Sequence, residues 1–143
     1  MKTRFIAVML AVLGGYFPST FALQDLTGTY KCNGVDTKDG KFTAIDTMQL
    51  DKKNSTNKIA GYAFNVPKFQ GGLSGFATFD GKNLAIYFYG LDNNSKNAKN
   101  NYGVMIAYVN KNSIKKTYYE PVYKGGSTGF VDCIKISSTV NVS

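Results

Sequence analysis

The sequence predicts an all-β fold, an eight-stranded antiparallel up-and-down barrel closed by one disulfide. After residue 22, no long segment carries apolar residues at helical spacing. Short alternating runs rich in Tyr, Phe, Ile, Val and Thr recur between turn clusters instead. The only two cysteines, Cys32 and Cys133, lie on the first and last of these runs. Those runs are neighbours in a closed meander, so a disulfide and a barrel support each other.

The first 22 residues have the pattern of a secretory signal peptide. The basic residues Lys2 and Arg4 precede an apolar run from Phe5 to Gly15, and Thr20-Phe21-Ala22 places small residues at a cleavage site. The apolar run is shorter than the roughly 20 residues that span a bilayer, which disfavours a membrane anchor. We therefore predict cleavage after Ala22 and export to the periplasm or the extracellular space. The mature chain, residues 23–143, is then a single domain without a transmembrane segment.

Turn residues divide the mature chain into eight segments. Clusters of Gly, Asn, Asp, Lys and Ser separate the alternating runs, and most of the intervals have hairpin length. We predict strands at residues 27–34, 42–50, 58–66, 73–79, 83–90, 102–110, 113–120 and 128–136. The interval from Asp92 to Asn101 is longer, and we expect a lid over a barrel mouth there.

Cys32 and Cys133 are predicted to form a structural disulfide. Export favours pairing, and no Cys-x-x-Cys spacing supports a redox pair. The alternation of the last strand conflicts with this pairing. Phe130, Ile134 and Ile136 lie on the face opposite Cys133, and they are more typical of a core than the residues that share the face of Cys133. We expect a bulge in the last strand, or a bridge at the rim of the barrel, to resolve the conflict.

Composition excludes several functions. The chain has 17 basic and 9 acidic residues, a net charge of +8, and no His. Removal of residues 1–22 leaves 15 basic and 9 acidic residues, a charge of +6, and removes the only Arg. Without His, serine triads, histidine-assisted thiol catalysis and histidine zinc sites each lack a member, so we predict no enzyme and no cofactor. Scattered lysines without Arg do not indicate nucleic-acid binding.

Calcium binding is also disfavoured. The segment Asp36 to Gly40 resembles a calcium loop weakly, but it lacks the alternating ligands and the terminal Glu of such loops. We predict no metal site.

Candidate binding residues come from one carboxylate and the strand tyrosines. Asp46 shares a face with Phe42 and Met48, so it points inward and needs a partner, unless it lies at the barrel mouth or the register differs. Because Tyr118 and Tyr119 are consecutive, one of them should be exposed beside Pro121. The strand tyrosines supply rigid amphipathic contact area, although Tyr is also a good strand former. The candidate ligand-binding residues are Asp46, Tyr62, Tyr87, Tyr89, Tyr108, Tyr118, Tyr119 and Tyr123.

Several motifs carry a resemblance to a known family. They are Leu26 to Gly34, Gly61-Tyr62-Ala63-Phe64, Asp80 to Ala85, Asn101 to Val104 and Thr128 to Cys133. Together they resemble a family of small exported gammaproteobacterial proteins. The opening Gly28-x-Tyr30 is similar to the Gly-x-Trp of lipocalins and other calycins, with Tyr in place of Trp. The resemblance implies a calycin-like barrel, and relatives described as fibronectin-binding imply a surface-adhesion role.

Two functions follow from these expectations. The first is a non-enzymatic binding protein that holds a small apolar ligand in the barrel, with residues 84–90 and 114–123 lining or rimming the site. The alternative is an interaction or adhesion protein that contacts a host or envelope macromolecule through a Lys- and Tyr-rich exterior. The filling of the interior distinguishes them. The large candidates for the interior are Tyr30, Phe42, Met48, Tyr62, Phe64, Ile86, Phe88, Ile106 and Tyr108, and the small ones are Gly28, Ala44, Gly61, Ala63 and Gly75.

Overall fold

The chain folds into a closed barrel of eight antiparallel strands, as predicted. The computed structural model describes residues 23–67, 72–90 and 101–140. Each strand pairs with the next in sequence, and β8 pairs with β1. The strands are β1 (Gly28–Asp36), β2 (Gly40–Asp51), β3 (Ala60–Val66), β4 (Leu73–Phe79), β5 (Asn83–Gly90), β6 (Tyr102–Asn110), β7 (Ser113–Glu120) and β8 (Ser127–Ser137).

The observed strands agree with the predicted ones to within about two residues at each end. Two short 3-10 helices, Lys52–Asn54 and Tyr123–Gly125, lie in the connections after β2 and β7. In the ranges that the structure describes, no helix is long and apolar enough to cross a bilayer. The predicted signal peptide and residues 92–100 of the predicted lid lie outside the described residues.

The barrel closes where β1 meets β8. Cys32 lies directly opposite Cys133 in this ladder, and the two residues form the predicted disulfide, with their Cα atoms 4.0 Å apart. Both side chains are almost fully buried, so the bridge lies inside the barrel and not at its rim.

The predicted bulge in the last strand does occur: Thr29 pairs with Ser137 and Tyr30 with Lys135, which leaves Ile136 of β8 as the extra residue. It lies beyond Cys133 and does not change which face of residues 130–134 is buried. On β8, Val131 and Cys133 face inward, while Phe130, Ile134 and Ile136 are exposed on the outside. The more hydrophobic face of β8 is therefore its outer face.

Large rings fill the interior by packing over glycines of neighbouring strands. Phe88 lies opposite Gly103, where an added Cβ would come within 2.3 Å of the ring. Phe42 lies opposite Gly34, and a Cβ there would come within 2.4 Å of that ring. Glycine is required at both positions because a neighbouring ring occupies the space of a side chain.

The inward faces of β3 and β6 complete this packing. On β3, Tyr62 and Phe64 are buried, whereas Gly61 and Ala63 are only partly covered. On β6 the inward residues are Gly103, Met105 and Ala107. The assignment of Ile106 and Tyr108 to the interior is wrong, since they are 68% and 69% exposed. The rings of β3 and β5 leave room only for the smaller face of β6.

The segment before β1 closes one end of the barrel. Leu26 is 1% exposed, and its backbone N–H donates to the Tyr62 hydroxyl at 3.1 Å. The Tyr30 hydroxyl donates to the Leu26 carbonyl at 2.7 Å. Side chains of β3 and β1 both hold this residue, so it covers the interior at this end. We call the opposite end the Glu120 end, after the last residue of β7.

We expect the double substitution Cys32→Ser/Cys133→Ser to lower the free energy of unfolding by about 4 kcal/mol, because the bridge closes a loop of roughly 100 residues in the unfolded chain. Urea unfolding of the parental and substituted proteins measures the difference. Thiol labelling of the native, unreduced parental protein would contradict the disulfide itself, and an unchanged unfolding midpoint would contradict its structural role.

Candidate functional site

A small cavity lies in the barrel toward the Glu120 end. It has about 40 Å³ of space for the centres of water molecules, enough for roughly three waters. Its walls are mostly apolar, and three ionisable groups other than tyrosine face it, Asp46, Lys116 and Glu120. The lining residues are Phe42, Ala44, Asp46, Val66, Leu73, Phe88, Met105, Lys116, Tyr118, Glu120 and Val131.

A buried ion pair lies in the wall of this cavity. The Lys116 ammonium of β7 donates to the Asp46 carboxylate of β2, and the two side chains are 4% and 6% exposed. The Lys116 nitrogen also lies 5.3 Å from the centroid of the Phe64 ring. The disulfide is adjacent, with the Cys32 sulfur 4.0 Å from Nζ of Lys116 and the Cys133 sulfur 3.9 Å from Oδ2 of Asp46.

The predicted inward orientation of Asp46 is confirmed, and Lys116 is the partner that this orientation requires. Two charges are removed from water here, which costs several kcal/mol that their mutual attraction only partly offsets. A pair of apolar side chains would fill the same space without that cost. The ion pair therefore adds little net stability, but it gives the cavity a charged wall.

At the Glu120 end, a second carboxylate ties the first hairpin to β7 and β8. Asp36 accepts hydrogen bonds from the Tyr118 and Ser127 hydroxyls and from the backbone N–H groups of Lys38 and Asp39. Burial raises the pKa of Asp36, but these hydrogen bonds outweigh burial and hold the pKa below its ordinary value. Burial and the hydrogen bond to Asp36 raise the pKa of Tyr118, which stays a neutral donor.

Glu120 is the third ionisable residue of the cavity. Its side chain is partly buried, and among the described residues it has no hydrogen-bond or ion-pair partner. Burial, together with the nearby carboxylates of Asp36 and Asp39, raises the pKa of Glu120 to about 7. Asp39 itself is held by Lys124 and Tyr123. Glu120 is therefore the carboxylate of this end whose charge no described cation offsets.

The predicted site residues lie in three parts of the structure. Asp46 and Tyr118 line the cavity, whereas Tyr62 is buried at the other end, where it holds Leu26. Tyr118 is buried and Tyr119 is 49% exposed, so the prediction that one of the pair is exposed is confirmed. The remaining tyrosines lie away from the cavity, with Tyr87, Tyr89, Tyr108 and Tyr119 on outward positions of their strands and Tyr123 in a 3-10 helix.

Sequence reasoning missed Lys116 and Glu120. Both lie on the face of β7 that also carries Ile114 and Tyr118, so the alternation of this strand already placed them inward. The signal was present in the positions, but a lysine between two solvated neighbours is more often a surface residue.

A second candidate site lies outside the barrel, on strands β4 to β8. Two adjacent rows of residues cross these strands in register. The first row is Phe76, Tyr87, Val104 and Tyr119, and in the second row Thr117 lies between Ile106 and Phe130. We call the four residues of the first row, together with Ile106 and Phe130, the outer aromatic surface. Directly opposite residues on one face are near enough to touch, so the first row is a continuous apolar strip. Phe76 is 65% and Phe130 is 56% exposed.

The outer aromatic surface borders a shallow groove over β6, β7 and β8. The groove has about 430 Å³ of space, and Ile106, Tyr108 and Phe130 lie along it. Lys115 and Asp132 also line it and form an exposed ion pair at 3.9 Å. The groove therefore combines apolar contact area with a charge of each sign.

We expect Asp46→Ala to destabilise the protein by about 3 to 5 kcal/mol, because it leaves the Lys116 ammonium buried without its counter-charge. The double substitution Asp46→Leu/Lys116→Met should recover most of that loss, because no buried charge remains. Urea unfolding of the three proteins measures both effects. Equal destabilisation by the single and double substitutions would show that packing, not charge, determines the result.

The ionisation of Glu120 should make stability depend on pH. A raised folded-state pKa gives stability that is present below the ordinary value of 4.5 and is lost as the pH rises toward about 7. Glu120→Gln should therefore be more stable than the parental protein at pH 8, by about 1 kcal/mol after allowance for solvent screening, and no more stable at pH 4.

Urea unfolding at both pH values measures the effect. Asp132→Asn, which removes the same charge on the outer face, is the matched control. An equal gain from Asp132→Asn would assign the effect to net charge and contradict a role for the environment of Glu120.

Comparison with known proteins adds no relative. The chain matches no family model, no curated protein and no solved structure.

Proposed function

We propose that this protein is an exported interaction protein that binds a macromolecule of the envelope or of a host through the outer aromatic surface. The observation that carries the proposal is the direction of the large apolar side chains. On β6 and β8 most of the large apolar residues point to solvent, and the face toward the core carries mainly smaller residues, with Met105 as the exception on β6.

The requirements of the fold do not explain this arrangement. An eight-stranded barrel has an interior just wide enough to be filled by side chains, and the rings of Phe64, Phe79 and Phe88 already occupy it. Small inward residues on β6 and β8 follow from that filling. Nothing in the filling requires Ile106 or Phe130 on the outside, where Thr would form a strand without exposing a large apolar side chain.

A contiguous exposed apolar surface is typical of a contact site. Single exposed hydrophobic residues are common, but adjacent rows of them mark surfaces that bind another molecule. Tyr and Phe supply rigid contact area that loses little side-chain entropy on binding. The adjacent Lys115 and Asp132 add polar groups at the edge, as in the rim of a protein interface.

The interior gives less support to the other function, a lipid-sized ligand held in the barrel. The described cavity holds roughly three waters, whereas the buried part of a fatty acid needs several times that space. The cavity is large enough only for a much smaller group.

Fibronectin is the probe for the adhesion role, because the resemblance in the opening motif implies it. We expect the mature protein to bind immobilised fibronectin saturably, and the double substitution Tyr87→Ser/Ile106→Ser to weaken binding at least tenfold. Surface plasmon resonance measures the affinity. The substituted residues are exposed, so the unfolding free energy should change by only about 0.5 kcal/mol per site.

Ile45→Ser is the matched control, since Ile45 is an exposed apolar residue on β2, away from the outer aromatic surface. It should leave binding unchanged. Binding should also persist when salt rises from about 0.15 M to 1 M, because apolar contacts are not screened. Absence of binding by the parental protein, or equal loss in the Ile45→Ser control, would overturn the proposal.

A further inference from the structure

We propose that the cavity at the Glu120 end is a binding site for a short alkylammonium group, with its ammonium beside the Glu120 carboxylate and its alkyl part against the apolar walls. The outer aromatic surface takes no part in this site. The inference is therefore independent of the proposed interaction function.

Charge gives the first reason. The lining contains two carboxylates, Asp46 and Glu120, and one ammonium, Lys116. Lys116 and Asp46 neutralise each other, so the described residues that line the ionised cavity carry a net charge of −1, located at Glu120. The chain as a whole carries +8, so this negative cavity is opposite in sign to the protein around it. An anionic ligand would meet a carboxylate whose charge no cation of the described residues offsets, whereas a cationic ligand would offset it.

The aromatic residues near Glu120 give the second reason. Phe42 and Tyr118 both line the cavity, with their ring centroids 6.5 Å apart and the rings in an edge arrangement. A cation within about 6 Å of a ring face is attracted by the ring quadrupole. The same molecule already shows this preference, because the Lys116 ammonium lies over Phe64 and the Lys124 ammonium lies over Tyr123.

Size and wall chemistry restrict the ligand. Space for roughly three waters corresponds to about 90 Å³ of liquid volume, which accommodates about three non-hydrogen atoms, such as the ammonium and the two nearest carbons of an alkylammonium chain. Leu73, Val66, Met105 and Val131 provide apolar contact for such a chain. A bare metal ion would gain nothing from these walls, and a lipid would not fit. The predicted ligand is therefore a small amine or the side chain of a lysine.

Binding should depend on the ionisation of Glu120. The titratable and charged groups around this end are Asp36 on β1, Asp39 in the first turn, Tyr118, Tyr123 and Lys124 near the end of β7, and the Asp46–Lys116 pair deeper in the barrel. Asp36 and Asp39 have pKa values held below their ordinary value, and Tyr118 has one held above it. From pH 5 to 8, Glu120 is thus the carboxylate of this end that changes charge, and affinity for an ammonium should rise over that range.

The experiment uses n-butylammonium as the probe and the mature, oxidised protein. Backbone amide shifts of residues 116–120 are followed by NMR during a titration at pH 5 and at pH 8. We expect saturable shifts with a Kd near 1 mM at pH 8 and at least tenfold weaker binding at pH 5. Glu120→Gln should weaken binding at least tenfold at pH 8, and Asp132→Asn, the matched loss of an outer carboxylate, should not change it.

Two further ligands isolate the ammonium. 1-Butanol has the same alkyl chain without the charge, and butyrate has the opposite charge, so both should bind at least tenfold more weakly than n-butylammonium. A blocked Gly-Lys-Gly peptide distinguishes the source of the group, since tighter binding of the peptide than of the amine assigns the site to a polypeptide side chain. Equal binding of 1-butanol, an unchanged affinity in Glu120→Gln, or no saturable shift up to about 100 mM amine would overturn the proposal.

Discussion

Closure of β1 on β8 is the constraint on which the rest of this structure depends. The Cys32–Cys133 bridge fixes one register for these two strands, and their pairing turns an open meander with two exposed edges into a barrel with none. A closed barrel of eight strands has a nearly fixed interior volume. Every inward position therefore competes for the same space, and the choice of side chain on one strand limits the choice on the others. The buried ion pair between Asp46 and Lys116 lies against this bridge. The charges that are removed from water are therefore next to the two strands whose register the disulfide fixes.

Competition for that volume explains which features sequence analysis predicted. The eight strands and the inward face of β2 followed from alternation and turn residues, because each is set locally. The faces of β6 and β8 did not follow, because both faces of these strands are apolar. On each of them, local hydrophobicity favours the larger face as the core, whereas the structure places Met105 and Val131 inside and Ile106 and Phe130 outside. Which face is buried depends on rings contributed by β3 and β5, and these contacts are not visible along β6 or β8 alone.

The candidate sites were predictable to different degrees for the same reason. Asp46 was identified because its neighbours along β2 define an inward face, but its partner lies 70 residues away in sequence and joins it only when the barrel closes. Alternation along β7 places Glu120 on the inward face of Tyr118, but a glutamate is so rarely buried that its residue type favours the surface. The aromatic residues were noticed by their density, but density alone did not separate Tyr118, which faces the cavity, from Tyr119, which faces solvent. Their adjacency in sequence guarantees opposite faces without saying which is which.

Globular proteins usually bury apolar residues and expose charged ones, and parts of this barrel show the opposite distribution. A lysine and two carboxylates line the inner cavity, while phenylalanine, isoleucine and tyrosine lie exposed on the outer strands. Neither arrangement lowers the free energy of the isolated domain, since buried charges lose hydration and exposed rings keep apolar surface in water. Both become favourable when another molecule covers them, the outer rings by burial and the inner carboxylate by a counter-charge. The outer aromatic surface thus keeps apolar area in water, and the Glu120 end holds a carboxylate whose charge no described cation offsets. These two sites share no residue.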